Sequence, residues 1–374
     1  MIVSNISITA FKSIQSMELP IDKNITVLIG PNESGKTNIL KAIESFNLSH
    51  QLTVDQTCQY SELYTAGKPP VIAFDLANFT KEETAKLAKL YEGFKTMDSF
   101  VLIKEGSGPN DYKIKTDDKV LSIGNEKPLF DLLPKIIYFD DIQIIKDRVT
   151  LEDLQKGDRD YQTEINLLKI GGVEDPIIIF EDSTRGRRAL EETGKEITRR
   201  IQETWTQAPS LEIKLRVNGN LMYIDFSDDT SVYDTPKSRS PGFLWYLSFY
   251  INFIAKTNEA KANEFLFLLD EPGVHLHPSG QKDLTNLLEN LSEKNQVIYT
   301  THSPFMINRT HPHRVRVVEK TEKGTSVDSE AYRENWRPLR QSIGLTVGDM
   351  FFFSSKGLAI ELPSKKSSLF NKQK

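Results

Sequence analysis

"LIGPNESGKTNIL", residues 28–40, decides the fold. Gly30 to Thr37 fits G-x-x-x-x-G-K-[ST], and the flanking residues supply the strand-to-helix context that this pattern needs. On one side Ile25 to Ile29 is apolar and β-branched, as a buried strand would be. On the other, Ile39, Leu40, Ile43 and Phe46 fall at helical spacing. A loop so placed, Gly30, Pro31, Asn32, Glu33, Ser34 and Gly35, turns backbone N–H groups toward phosphate, except at Pro31, which has none, and the helix N-terminus adds its positive dipole end. Lys36 reaches the terminal phosphates, Thr37 offers an oxygen to Mg²⁺, and Asn38 follows on the first helical turn. The ligand implied is a nucleoside triphosphate, taken as ATP with Mg²⁺.

A phosphate cradle without a metal-holding carboxylate binds but reacts poorly, which directs attention to acidic pairs at the end of buried strands. "FLFLLDEP", residues 265–272, supplies one: an uninterrupted apolar run, as in a central parallel strand, followed by Asp270 and Glu271. Asp270 is placed to hold Mg²⁺, directly or through water, and Glu271 to polarise the attacking water as general base. One strand further on, "VIYTTHSP", residues 297–304, sets His302 beyond a second apolar run. If the two strands are parallel neighbours, His302 stands beside the γ-phosphate, where an imidazole can sense the phosphate and orient the water.

Lys36, Asp270–Glu271 and His302, in that order, resemble the ATP-binding-cassette type of ATPase, whose heads dimerise around two ATP molecules. That class has a signature segment before the acidic strand, a serine and glycine at a helix start that grip the γ-phosphate bound by the partner. "SRSPGFLWYLS", residues 238–248, occupies the position, with Ser240 suited to cap the helix and Pro241 to its first turn. Ser240 and Gly242 are the candidates, in a form that departs from the transporter signature. "RSPGFLWYLSFY", "LLDEPGVHLHP" and "TTHSPFMI", together with the opening "ISITAFKSI", closely resemble the ATPase part of the overcoming-lysogenization-defect (OLD) nucleases, within a wider group that includes SMC-like repair ATPases.

The resemblance covers about residues 1–350. It implies an α/β fold: an ABC-type P-loop ATPase head with a mixed, partly parallel central sheet, an antiparallel β subdomain and an inserted helical subdomain, with insertions over about 50–235. It also implies a homodimer or higher homo-oligomer that switches a nuclease or other effector, in phage defence or DNA metabolism, with DNA as a further partner. Gln143, in "YFDDIQIIKD", then stands for the glutamine that senses Mg²⁺, and His277 for the aspartate of the dimer-contacting loop. The pair His275 and His277 also fits two metal ligands, but no third is in view, and the interface role is favoured. In the nucleases a toprim domain follows the ATPase. "KGLAIELPSKKSSLF", residues 356–370, begins as that domain does, with Glu361 after an apolar stretch and no acid after it, so residues 351–374 are expected to be its truncated start and a frayed tail, without DNA cleavage by this chain alone.

Composition agrees with a globular ATPase. The chain has 374 residues, 38% apolar and 26% charged, with no apolar run long enough to span a bilayer, so it is expected in the cytoplasm and off the membrane. A net charge of −5 argues against a bulk polyanion binder and leaves local basic stretches, "RGRR" and "TRR", as the places where DNA could touch. Cys58 is the single cysteine, which excludes an intrachain disulfide. Two other assignments compete. An SMC-like DNA-repair ATPase needs long heptad repeats between its nucleotide motifs, and none is sustained here. A transporter's ATPase subunit is more compact between Lys36 and Asp270 than this strand-rich stretch allows.

Overall fold

Ile6 and Ile8 point inward while Ser7 and Thr9 stay half-buried, and this alternation makes β1 (Ile2–Phe11), which returns antiparallel as β2 (Ile14–Pro20). The computed structural model describes residues 1–90, 94, 97–106, 111–116, 120–122, 127–139, 142–181, 183–229, 235–259 and 265–330. After β3 (Ile25–Ile29) come the phosphate-loop helix α1 (Lys36–Glu44), a single turn α2 (Glu62–Thr65), and β4 (Val71–Ala77). Helix α3 (Lys81–Leu90) begins with a reciprocal capping box: Glu83 N–H donates to Thr80 Oγ1 at 3.2 Å and Thr80 N–H to Glu83 Oε2 at 2.7 Å. Then follow β5 (Ser99–Glu105), β6 (Tyr112–Lys115), β7 (Val120–Ser122), α4 (Lys127–Phe130) and β8 (Lys135–Phe139).

The strand-rich stretch after Val71 is not one unit. β4 to β7 extend β1 and β2 into an antiparallel sheet of order β7-β6-β5-β4-β1-β2, whereas "KIIYF", β8, joins the parallel strands at the opposite edge. After β8 the chain builds a helical insert around a small second sheet: β9 (Arg148–Thr150), α5 (Leu151–Lys156), α6 (Gln162–Ile170), α7 (Ile177–Phe180), α8 (Thr184–Thr204), and the hairpin β10 (Glu212–Asn218) and β11 (Leu221–Ser227). At 21 residues α8 is the longest helix among the described residues.

The last third returns to the core with α9 (Pro241–Glu259), β12 (Phe265–Leu269), α10 (Pro278–Leu291), β13 (Gln296–Thr301), β14 (Val315–Thr321) and β15 (Gly324–Asp328). The parallel strands lie in the order β14-β3-β13-β12-β8. A single pairing, Gly324 with Ile14, joins β15 to β2 and so connects the two halves of the twelve-stranded sheet. β3 and β12 are buried along their whole length because a hydrophobic layer covers each face: Ile25, Val27, Ile29, Phe265, Phe267 and Leu269 face one cluster, Leu28, Leu266 and Leu268 the other. At about 1.5–3 kcal/mol for each large side chain removed from water, this double burial fixes the parallel strands as the rigid base of their C-terminal loops.

Candidate nucleotide site

β13 lies between β3 and β12, so the three motifs emerge from adjacent parallel strands at one edge of the sheet. The loop after β3 has one permitted shape. A Cβ on Gly30 would stand 2.1 Å from the Val318 carbonyl oxygen, and one on Gly35, at φ +107°, 2.1 Å from Thr325 Oγ1. Lys36 is buried, and its ammonium donates to the carbonyls of Gly30 at 2.9 Å and Pro31 at 3.0 Å, with Glu271 Oε1 at 3.6 Å. Thr37 Oγ1 donates to Asp270 Oδ2 at 2.8 Å. His302 Nδ1 is 2.9 Å from Glu271 Oε2. Lys36, Thr37, Asp270, Glu271 and His302, read from three separate stretches, are thus one contiguous group.

Three residues without a motif of their own complete it. Thr300, fully buried on β13, donates to Asp270 Oδ1 at 2.6 Å and accepts from the Glu271 N–H at 2.8 Å. It thereby orients both acids, and it holds Glu271 in a left-handed conformation, φ 49°, that is costly for a residue with a side chain. Tyr138, at the end of β8, donates to Asp270 Oδ2 at 3.3 Å. Ser13 accepts from the Asn38 amide at 2.9 Å and pairs with Thr325 at 2.7 Å, so Asn38 braces α1 against the β1–β2 turn and is not directed at the acids.

The remaining candidates lie elsewhere. Pro31, Asn32 and Glu33 are exposed along the loop, with Glu33 at φ 62°. Gln143 follows β8 and lines a cavity of about 460 Å³ with Tyr138, Arg159, Lys169 and Lys256; its backbone carbonyl accepts from Thr163. Ser240 caps α9, accepting from the Phe243 N–H at 3.2 Å, and a Cβ on Gly242 would meet the His275 carbonyl oxygen at 2.6 Å. The hydrogen bonds and packing of these two residues run to α9 and the His275 turn. Val274, His275 and His277 are exposed on that turn, and among the described residues no group of three or more His, Cys, Asp or Glu side chains is placed to hold a metal ion. Three of the five arginines of the basic stretches are engaged on their own helix, Arg188 with Glu192 at 2.7 Å, Arg199 with Glu203 at 2.6 Å and Arg200 with Glu196 at 2.5 Å. A cavity of about 1460 Å³ lies between α8 and β10 and is lined by none of the candidate nucleotide-site residues. Glu361 and residues 351–374 lie outside the described residues.

The site fits a phosphate chain with magnesium. Ser34 Oγ is buried in the loop without a hydrogen-bond partner, a donor that a phosphate oxygen would satisfy. The buried Lys36 ammonium faces neutral carbonyls and one carboxylate. Thr37 and Asp270 present hard oxygens side by side, the donor set Mg²⁺ takes beside phosphate.

A parallel sheet with these loops on neighbouring strands defines a phosphate-loop ATPase domain of α/β class. The chain belongs to the AAA ATPase domain family, whose profile matches residues 1–55 and 73–307. It is similar to the endonuclease GajA of Bacillus cereus, 26% identical over 97% of this chain and 66% of the relative, and to the OLD nuclease of Thermus scotoductus, 22% identical over 85% of this chain and 62% of the relative. The chain therefore spans less than two thirds of the length of each, and corresponds to their ATPase part. Among solved structures, an SMC head bound to the C-winged helix domain of ScpA shares the fold, with a TM-score of 0.53 and 18% identity over 88% of this chain and 97% of the other. Among the described residues no helix is long and apolar enough to cross a membrane.

Proposed function

We propose that the chain binds ATP with Mg²⁺, hydrolyses it, and acts as a dimeric switch for a nuclease or other effector. The convergence of Lys36, Thr37, Asp270, Glu271 and His302 carries this reading. Lys36 and the loop N–H groups would hold the phosphates, and Thr37 and Asp270 would hold the metal, which would supply charge neutralisation to the phosphates. Glu271 accepts a proton from the attacking water, and His302, bonded to its other oxygen, keeps that carboxylate oriented. Tyr138 and Thr300 restrain Asp270 from two sides, so that it meets the metal already in place.

Ser240 and Gly242 support the dimer. They are set at the start of α9 beside the exposed Val274–His277 turn, a surface suited to gripping ATP held by a second copy. The relatives are nucleases, which supports a nuclease as the effector, as a further segment or a separate subunit, and the reading assigns no cleavage to the ATPase part. The test is calorimetric titration of MgATP. Lys36→Ala should weaken binding by at least about tenfold, since a charge-assisted contact contributes on the order of 1.5–3 kcal/mol. Unchanged affinity in that variant removes the phosphate loop from the nucleotide site.

A further inference from the structure

Two residues beyond Glu271, the Gly273 carbonyl oxygen accepts a hydrogen bond from Gln281 Nε2 at 2.8 Å. One residue beyond His302, Ser303 Oγ donates to Gln281 Oε1 at 2.6 Å. One buried amide on α10 therefore clamps the two loops whose side chains meet at the 2.9 Å contact between His302 and Glu271. The orientation of the amide is fixed by chemistry, because the Gly273 oxygen can only accept and so must face the NH₂ end. We propose that Gln281 is a positioning residue for hydrolysis, setting Glu271 against His302; the inference rests on the proposed role of those two residues.

The geometry singles out Gln281 in two respects. The backbone of Glu271 is strained, at φ 49°, and an unsupported turn would relax away from that conformation. Thr300 holds the turn at its start, through the Glu271 N–H, and Gln281 holds it at its far side, through Gly273. Thr300 ties the acids to β13 at the start of the turn, and Gln281 ties the far side of the turn to Ser303, in the loop of His302. The amide also belongs to the first turns of α10, where the Gln281 N–H donates to the His277 carbonyl at 2.9 Å, so it joins the base to the turn carrying Val274, His275 and His277. Two residues on, Asp283 accepts from the Thr206 N–H at 3.0 Å and anchors the same helix to the insert. A shift of that turn thus reaches the base and histidine through one side chain.

The test uses Gln281→Met, which keeps the length and packing of the side chain, and Ser303→Ala, which removes the bond at the other end together with the 3.3 Å bond that Ser303 Oγ accepts from the Phe305 N–H. ATP turnover and the imidazole Nδ1 resonance of His302 are both recorded. The expected result is kcat lowered at least tenfold in Gln281→Met with KM for ATP within twofold, a smaller fall in Ser303→Ala, and little further loss in the double variant, because both act through one bridge. The His302 Nδ1 signal should move in Gln281→Met toward its position in Glu271→Gln. This resonance reports the clamp even in a chain that does not turn over ATP, so failure of the hydrolysis reading is separable from failure of the clamp. Wild-type kcat together with an unmoved Nδ1 signal in Gln281→Met overturns the proposal. If Gln281→Met does not fold, Ser303→Ala decides: a reduced kcat and shifted signal support the clamp, and wild-type values of both overturn it.

Discussion

Thr300 shows what single residues add beyond the motifs. Its hydroxyl joins both members of the acidic pair, at 2.6 Å and 2.8 Å, from a position with no exposure to water. Thr300→Val keeps the β-branched shape and leaves the Glu271 N–H and one Asp270 oxygen without their partner. The expected loss of stability is about 1–3 kcal/mol, with a fall in ATP turnover of about tenfold or more as Asp270 and Glu271 lose their orientation. Chemical denaturation and a turnover assay measure the two, and a stable variant with unchanged turnover refutes the assignment. Nothing in "VIYTTHSP" distinguishes Thr300, since threonine is an ordinary strand former. Its role comes from the register, which pairs Leu269 with Tyr299 and so sets the next residues, Asp270 and Thr300, side by side. Lys36, Thr37, Asp270, Glu271 and His302 were legible because each follows a recognisable apolar strand or glycine loop.

At the scale of elements, the end of α1 depends on a residue from the antiparallel half of the sheet. Lys104 on β5 is buried and donates to the carbonyl oxygens of Ser45 at 2.7 Å, Asn47 at 2.8 Å and His50 at 2.8 Å, placing a cation at the C-terminal end of the phosphate-loop helix. The anomaly is visible in "SFVLIKE", where Lys104 falls in phase with the inward Phe100 and Leu102, but its partners are not. Lys104→Met takes a charged donor from three carbonyls, of which that of Asn47 keeps the His50 N–H at 3.1 Å, and should cost about 3 kcal/mol at pH 7. Burial pushes the Lys104 ammonium down to about 8 from its ordinary 10.5, against the opposing pull of the Asp111 carboxylate. Between those values the unfolded chain holds more protons at this site than the folded one. The cost of burying the charge is thus full below pH 8 and is relieved as pH rises toward 10.5, so the stability gap between wild type and Lys104→Met should widen from pH 7 to pH 9.5. A gap that narrows over that range contradicts the burial account. The β8 strand was the element least legible in sequence, because "KIIYF" has the composition of any short strand and only its parallel pairing with β12 assigns it to the nucleotide half of the sheet.

For the whole molecule, the proposal makes each site composite. Ser240 at the start of α9 would then serve the ATP of a second copy, and damage there is separable from damage at Lys36. A Lys36→Ala chain mixed with a Ser240→Arg chain should recover one working site per mixed dimer, up to about half the wild-type turnover per dimer, although neither chain works alone. Mixed dimers that form and stay inactive argue against shared sites. The strand order that unites the motifs, and the single Gly324–Ile14 pairing that joins the two half-sheets, could not be read from the sequence, since pairings between distant strands leave no local periodicity. The central claim is that the assembled site hydrolyses ATP with Glu271 as base. Its most direct measurement is single-turnover hydrolysis of MgATP by Glu271→Gln, with binding followed in the same samples. ATP bound with wild-type affinity and hydrolysis slowed at least about a hundredfold is the result predicted for loss of a general base. Hydrolysis at the wild-type rate by that variant would contradict it.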